Sequence, residues 1–286
     1  MSLSMHGETL FHFTEYLDNL ISILSSRYFK ASLSMEKLSY VNANGIVEST
    51  PDLWVPMVSF CDYKLAEIAH HTANYGCFGL GMAKEWGALK GLNPVLYVSD
   101  NSHIGGELRS IIYDVAKSAT SSSSLIEVNI KLANMFSWTK NYQGILRRNG
   151  KIVNSSYRFA DDKEWRYVAN ISYMPELTDQ IYQGFRFANV PNFYCSCQSN
   201  TLVQDCPKCY LALDSYYNDR TSRIIDGHLK FNHDDIRFIV VKCHDDRDMI
   251  LNFIDGLFCS VKEKLILASK VIVVESLDLR EVKTNL

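Results

Sequence analysis

Short runs rich in β-branched and aromatic residues recur along this chain, but helical segments do not follow them in a regular βαβ rhythm. That irregular mixture is what most limits the folds open to it. The segment "TLFHFT" reads as an apolar strand, and "LWVPMVSFCD", "KEWRYVAN", "IRFIVVKC" and "KVIVVESL" read as further strands. Leu17, Leu20, Ile21 and Leu24 recur at helical spacing after Thr14, which is placed to cap that helix. "YKLAEIAHHTANYG" reads as a helix stopped at Gly76, and "DRDMILNFIDGLF" as another near the C-terminus. "GCFGLGMAKEWGALKGLNPVLYVSD" predicts a strand, a short helix and a strand from Val95 to Val98. Its glycines fit tight turns, because neither a GxGxxG fingerprint nor a P-loop is present. Pro56 points to an edge strand or an entry bend. Ser118 to Ser124 reads as an exposed turn or linker, and "LIEVNIKLANMFSWTKNYQG" is compatible with a helix. The expectation is an α+β fold with a mixed or antiparallel sheet and flanking helices, and not a doubly wound sheet.

With 47% hydrophobic and 12% aromatic residues in 286, the chain can bury a sizeable core, read here as one domain over 1–286. A net charge of -3 and a pI near 6.2 argue against unspecific coating of nucleic acid or anionic membrane, while leaving room for a local basic groove. "MSLSMHGETLFHF" lacks the basic and apolar regions of a signal peptide, and no apolar run reaches membrane-spanning length. The expectation is a cytoplasmic protein whose eight cysteines are reduced thiols.

Three places invite a chemical reading. In "FADDKEWRYVAN", Glu164 stands at a strand entrance beside Trp165 and Arg166. It is either one half of an ordinary ion pair with Arg166 or a carboxylate held for chemistry. Strand alternation predicts that Arg166 shares its face while Trp165 packs inside. His12 sits in an apolar strand, as a core histidine satisfied by backbone or as a ligand contact. "YCSCQSNTLVQDCPKCY" gathers Cys195, Cys197, Cys206 and Cys209 in one loop within 190–215. A C-x-C and a C-P-x-C pair of reduced thiols suit a tetrahedral structural zinc, with His228 and His233 as alternates; a chance cluster or a redox-sensitive loop are the other readings. Cys61, Cys77, Cys243 and Cys259 read as inert core thiols.

"LFHFTEYLDNLISIL" resembles the opening of DarT-like ADP-ribosyltransferases, and "VSFCDYKLAEIAHHTANYG" resembles a segment of poly-ADP-ribose polymerases. "PMVSFCD", "YGCFGLGMAKEWGALKGLNPVLYV", "DDKEWRYV" and "LKFNHDDIRFIVVK" are similar, in order, to the AbiGi abortive-infection family from about Leu10 to Lys242. The resemblance implies an ADP-ribosyltransferase-like split sheet and a phage-defence protein. It would use NAD to modify a macromolecular acceptor (RNA, DNA or protein), or else would be a catalytically silent antitoxin or complex subunit on the same scaffold. An NAD hydrolase without an acceptor is a third possibility, and a neutralising partner is implied for a toxin. On this resemblance Glu164 would be the catalytic carboxylate stabilising a ribosyl cation. His12, with Thr14, would hold the ribose, Tyr75 would stack on nicotinamide, and Lys84 and Arg166 would meet the pyrophosphate. Ser59 stands where the polymerases carry the first tyrosine of the nicotinamide pocket, a departure from their pattern.

Overall fold

Thr9–Thr14 forms the first strand, with Leu10 and Phe11 buried and His12 half-buried. The computed structural model describes residues 7–36, 38–41, 47–49, 53–68, 75–118, 135–148, 151–169 and 228–277. The fold is mixed α+β, and the chain divides into two compact units. The first draws on Met1–Lys30, Ser59–Asn93 and Leu229–Leu286, the second on Ala31–Val58 and Pro94–His228.

In the first unit Thr9–Thr14 runs antiparallel to Phe78–Ala83, in register from Thr9↔Ala83 to Thr14↔Phe78. On its other side Phe11 pairs with Cys61, at the end of the Leu53–Cys61 strand. Beyond Phe78–Ala83 lie Ile236–Val241, antiparallel, and then Val271–Val273, parallel to Ile236–Val241. Each strand is a short apolar run that buries one or both faces. Val240 joins Phe11, Tyr63, Ile68 and Val274 in one core, with Phe13, Cys61, Leu65 and Phe238 packed against it. Helix Leu17–Ser26 buries Leu20 and Leu24, as their spacing demands. Helix His244–Asp255 buries Ile250 and Ile254, and helix Val261–Ser269 buries Leu267.

In the second unit Ser32–Glu36 pairs antiparallel with the first part of Leu53–Cys61, from Ser32↔Met57 to Glu36↔Leu53. Glu164–Val168 lies on the opposite side of that strand. Leu96–Val98 runs parallel to Thr139–Asn141, and Gly144–Arg148 forms an antiparallel pair with Lys151–Tyr157. The core gathers Val55, Met57, Val98, Leu108 and Phe136. Leu108 comes from helix His103–Ser118.

Several local expectations are corrected. Pro56 is not at an edge: it stands opposite Leu33 on one side, and on the other its carbonyl accepts from the Ala169 N–H at 2.9 Å. Thr14 does not cap the first helix. Tyr16 occupies the cap position without a side-chain bond, and the Thr14 hydroxyl accepts from Asn19 Nδ2 at 3.0 Å. Gly79 and Gly81 lie inside a strand and make no turn. A Cβ on Gly81 would stand 2.7 Å from Phe11 Cε1, so the absence of a side chain is what admits the ring. Gly76 follows the helical Tyr75 at φ +100°, pressed against the Thr14 carbonyl, while Leu65–Glu67 at the start of the expected helix is a 3-10 turn and positions 69–74 lie outside the described residues. Among the described residues Cys61, Cys77, Cys243 and Cys259 form no disulfide, and they are only half-buried. The cysteine-rich 190–215 stretch, positions 119–124 of the serine segment and 125–134 of the expected helix lie outside the described residues. Met135 and Phe136 of that segment are helical, and the chain then enters the Thr139–Asn141 strand.

Candidate functional site

Arg166 has no exposed surface, although it lies on a strand only five residues long. A guanidinium removed from water needs acceptors for its fixed fork of donors. Nε donates to Glu164 Oε1 at 2.6 Å and Nη1 to the Ser137 carbonyl at 2.8 Å. Nη2 donates to Glu36 Oε1 at 2.5 Å and, more weakly, to Glu164 Oε2 at 3.3 Å. Lys140 completes the cluster, donating from Nζ to Glu164 Oε2 at 2.7 Å. Two cations and two carboxylates therefore sum to zero charge, held by the strands Ser32–Glu36, Thr139–Asn141 and Glu164–Val168.

Strand alternation places Glu164 and Arg166 on one face as expected, but that face is the interior one: Glu164 is 5% exposed, while Trp165 is only half-buried. Burial alone would raise the Glu164 pKa, but the charges of Lys140 and Arg166 and their hydrogen bonds outweigh it and hold the carboxyl well below its usual range. Burial would likewise lower the pKa values of Lys140 and Arg166. The two carboxylates win in both cases and keep them protonated. The backbone is pinned as well, since the Glu164 N–H donates to Tyr97 Oη at 2.8 Å and its carbonyl accepts from Val95 N–H at 3.0 Å.

His12, Thr14, Ser59, Tyr75 and Lys84 belong to the first unit, Glu164 and Arg166 to the second. The His12 imidazole shares a proton with the Ser59 carbonyl, Nδ1 to O 2.9 Å, which makes Nδ1 the donor and leaves Nε2 as an acceptor. The ring packs edge-on to Phe29 at 5.1 Å between centroids and lies 5.5 Å from Phe60. Burial in this aromatic setting lowers the His12 pKa, against the partial opposition of the Ser59 carbonyl, so the ring is neutral at physiological pH. Tyr75 is half-buried, next to the Gly76 turn that packs on Thr14. Lys84 starts helix Lys84–Leu89, and its ammonium is bound to Asp62 Oδ2 at 2.5 Å and to the Gly7 carbonyl at 3.3 Å.

Sequence reasoning found Glu164 and Arg166 but missed Glu36, Lys140 and Asp62. Glu36 is 130 positions from Arg166, beyond any local spacing signal. The one available hint was physical: a charged pair entering a buried strand needs further counter-charges from somewhere. Among the described residues no group of His, Cys, Asp or Glu could hold a metal ion, and no helix is long and apolar enough to cross a membrane. Cys195, Cys197, Cys206 and Cys209 lie outside those residues.

Comparison with known proteins places these features in a defence context. Residues 28–242 match the family model for "abortive phage resistance protein AbiGi, antitoxin". The chain is also similar to the abortive phage resistance protein AbiGi of Lactococcus lactis subsp. cremoris, with 25% identity over 269 residues, covering 88% of this chain and 96% of that protein. No solved structure matches.

Proposed function

The chain belongs to the AbiGi family of abortive phage resistance proteins, and from that premise we propose that it acts as the antitoxin side of a defence pair, neutralising a toxin by binding it. One observation carries this reading over an enzymatic one: both oxygens of Glu164 are occupied by Lys140 and Arg166. A carboxylate that stabilises a ribosyl cation has to present uncompensated negative charge to it. Glu164 is compensated by two cations within a neutral cluster, an arrangement that suits a structural role. The antitoxin description of the matching family supports the same reading. The test is genetic. Deleting this gene alone from a host carrying its whole defence locus is expected to arrest growth without phage, with rescue when the chain is supplied in trans. A deletion that leaves growth normal and merely abolishes protection would refute the antitoxin assignment.

A second reading keeps the transferase chemistry, and the geometry of His12 favours it. A neutral imidazole with Nδ1 committed to the Ser59 carbonyl offers Nε2 to a ribose hydroxyl. In this reading NAD is the substrate, Glu164 is the catalytic carboxylate once released from Lys140 and Arg166, and the acceptor is RNA, DNA or protein. Incubation with labelled NAD and lysate, followed by separate nuclease and protease digestion, tests it. Label on either polymer supports transfer, free ADP-ribose alone supports an NAD hydrolase, and unchanged NAD removes both. In either reading Cys195, Cys197, Cys206 and Cys209 form a donor set suited to one structural zinc ion.

A further inference from the structure

Helix Val261–Ser269 is apolar on two opposite faces, although packing against one side of a domain requires only one. Leu267 is buried in the interior. On the opposite face Val261 and Leu265 are 73% and 66% exposed, and Phe258, in the turn just before the helix, is fully exposed. Phe258, Val261, Leu265 and Ala268 follow one another at intervals of three, four and three residues, the spacing of a coiled-coil seam. Ile266, 38% exposed, widens the stripe. Single exposed apolar residues are ordinary, but a run of them at seam spacing marks a surface made to be covered.

The stripe is braced at both ends of its turn. Gly256 N–H donates to the Asn252 carbonyl at 3.2 Å, Leu257 N–H to Ile254 at 3.1 Å and Cys259 N–H to Leu257 at 3.0 Å, which fixes the backbone around Phe258. The Glu263 carboxylate accepts from the Ser260 N–H at 2.8 Å and from its hydroxyl at 2.7 Å. Lys264 Nζ donates to the Asp255 carbonyl and lies 3.9 Å from the Asp255 carboxylate, which ties this helix to the end of His244–Asp255. Phe258 is thus held out in water by a rigid turn, and a partner that covers it has little ordering entropy to overcome.

We propose that this stripe docks an amphipathic helix of the toxin whose apolar seam is bordered by acidic residues; the inference rests on the antitoxin reading and adds where and by what chemistry the partner is held. Helical spacing sets Lys262 on one border of the stripe and Lys264 on the other, while Glu263 falls on the far side with Leu267, committed to Ser260. Lys262 is exposed and makes no ion pair among the described residues. From Val261 to Lys270 there are three lysines and one carboxylate, in a chain whose net charge is -3. Charge complementarity therefore selects acidic borders on the partner. The same lysines exclude a second copy, because two such helices, parallel or antiparallel, would set lysine borders against lysine borders. A lipid surface fits less well. An interfacial membrane helix has a strongly charged face opposite its apolar one, and here the opposite face carries the buried Leu267.

The test uses the full chain and a fluorescein-labelled helical peptide of about three heptads, with leucine at the seam positions and glutamate on both borders, read by anisotropy. Micromolar binding is expected, weaker at about 500 mM than at about 50 mM salt, and absent for the same peptide bordered by lysine. Phe258→Ser and Leu265→Gln, at exposed positions that leave folding intact, should each weaken binding at least about 10-fold. In a host carrying the whole defence locus, the two substitutions combined should arrest growth as deletion of the gene does. The proposal is overturned by no peptide binding at about 100 µM protein, by equal binding of the two peptides, or by binding to phosphatidylserine vesicles in place of the peptide. A dimer that Leu265→Gln dissociates in sedimentation, or a doubly substituted chain that melts normally and protects growth as well as the parent, overturns it too and leaves the antitoxin reading standing. Normal growth on deletion removes the antitoxin reading instead, and peptide binding then decides the surface by itself.

Discussion

Arg166 and Glu164 form a buried pair whose partners cannot be removed singly without leaving a charge stranded. Glu164→Gln keeps the shape of the side chain but leaves Lys140 and Arg166 facing only Glu36. It should therefore destabilise the fold by about 3–5 kcal/mol, the range for breaking a buried pair, measured by urea denaturation at neutral pH. A variant as stable as the parent would show that the cluster contributes little. The pH dependence has two parts. His12 has a folded pKa below its unfolded value of about 6.5, so it favours the fold above that pH and opposes it as pH falls below. Glu164 is also depressed, and its contribution is complete above its unfolded value of about 4.3 and is lost as pH falls further. Acid unfolding should thus begin gently below about 6.5 and steepen below about 4.3, with Glu164→Gln removing only the steeper part. A steep limb that survives in Glu164→Gln would assign it to other carboxylates. The presence of Glu164 and Arg166 on one strand face was legible from alternation. Their burial was not, because Glu36 and Lys140 reach them from other strands that no local pattern connects.

At the scale of elements, apolar runs located strands such as Thr9–Thr14, Leu53–Cys61, Phe78–Ala83 and Ile236–Val241, since one buried face leaves a local imprint on composition, but not Ser32–Glu36 or Thr139–Asn141. What escaped were elements whose signals are punctuation. Helix Val261–Ser269 is announced by Ser260 and Glu263, whose side chains cap reciprocally, with Glu263 N–H donating to Ser260 Oγ at 3.2 Å and Ser260 N–H to Glu263 Oε2 at 2.8 Å. The antiparallel pairing of Gly144–Arg148 with Lys151–Tyr157 is announced in the sequence by Asn149-Gly150, a two-residue turn signal whose own positions lie outside the described residues. The glycines of Phe78–Ala83 were legible as glycines but not as space for rings, because the rings belong to a neighbouring strand. Phe11 is 1% exposed and lies between Phe13 and Phe238, with ring centroids at 5.9 and 6.0 Å, so it cannot retreat from an added methyl group. Gly81→Ala should cost about 1–3 kcal/mol by overpacking, read as a lowered denaturation midpoint. Gly106→Ala, which meets nothing within 4 Å inside a helix, should be neutral or slightly stabilising. Equal effects at the two positions would defeat the steric account.

For the whole molecule, composition indicated a chain able to fold but not its division into two units, because contacts between distant segments leave no compositional boundary. The cysteine loop belongs to this scale too, since a metal would tie four residues together at once. Protein purified without chelators should contain one zinc per chain, and metal analysis finding none would remove the zinc assignment. The first unit is assembled from three separated segments, with Thr9–Thr14 and Phe78–Ala83 joined by Ile236–Val241 only after the whole of Pro94–His228 has intervened. On a ribosome adding roughly 5–20 residues per second, an early pairing of Thr9–Thr14 with Phe78–Ala83 waits roughly 8–32 s for its third strand. Throughout that interval the nascent chain displays an unfinished sheet edge, open to chaperones or to another nascent copy. Cells that slow translation during infection would lengthen the delay, so the supply of finished protein would fall while copies already folded persist.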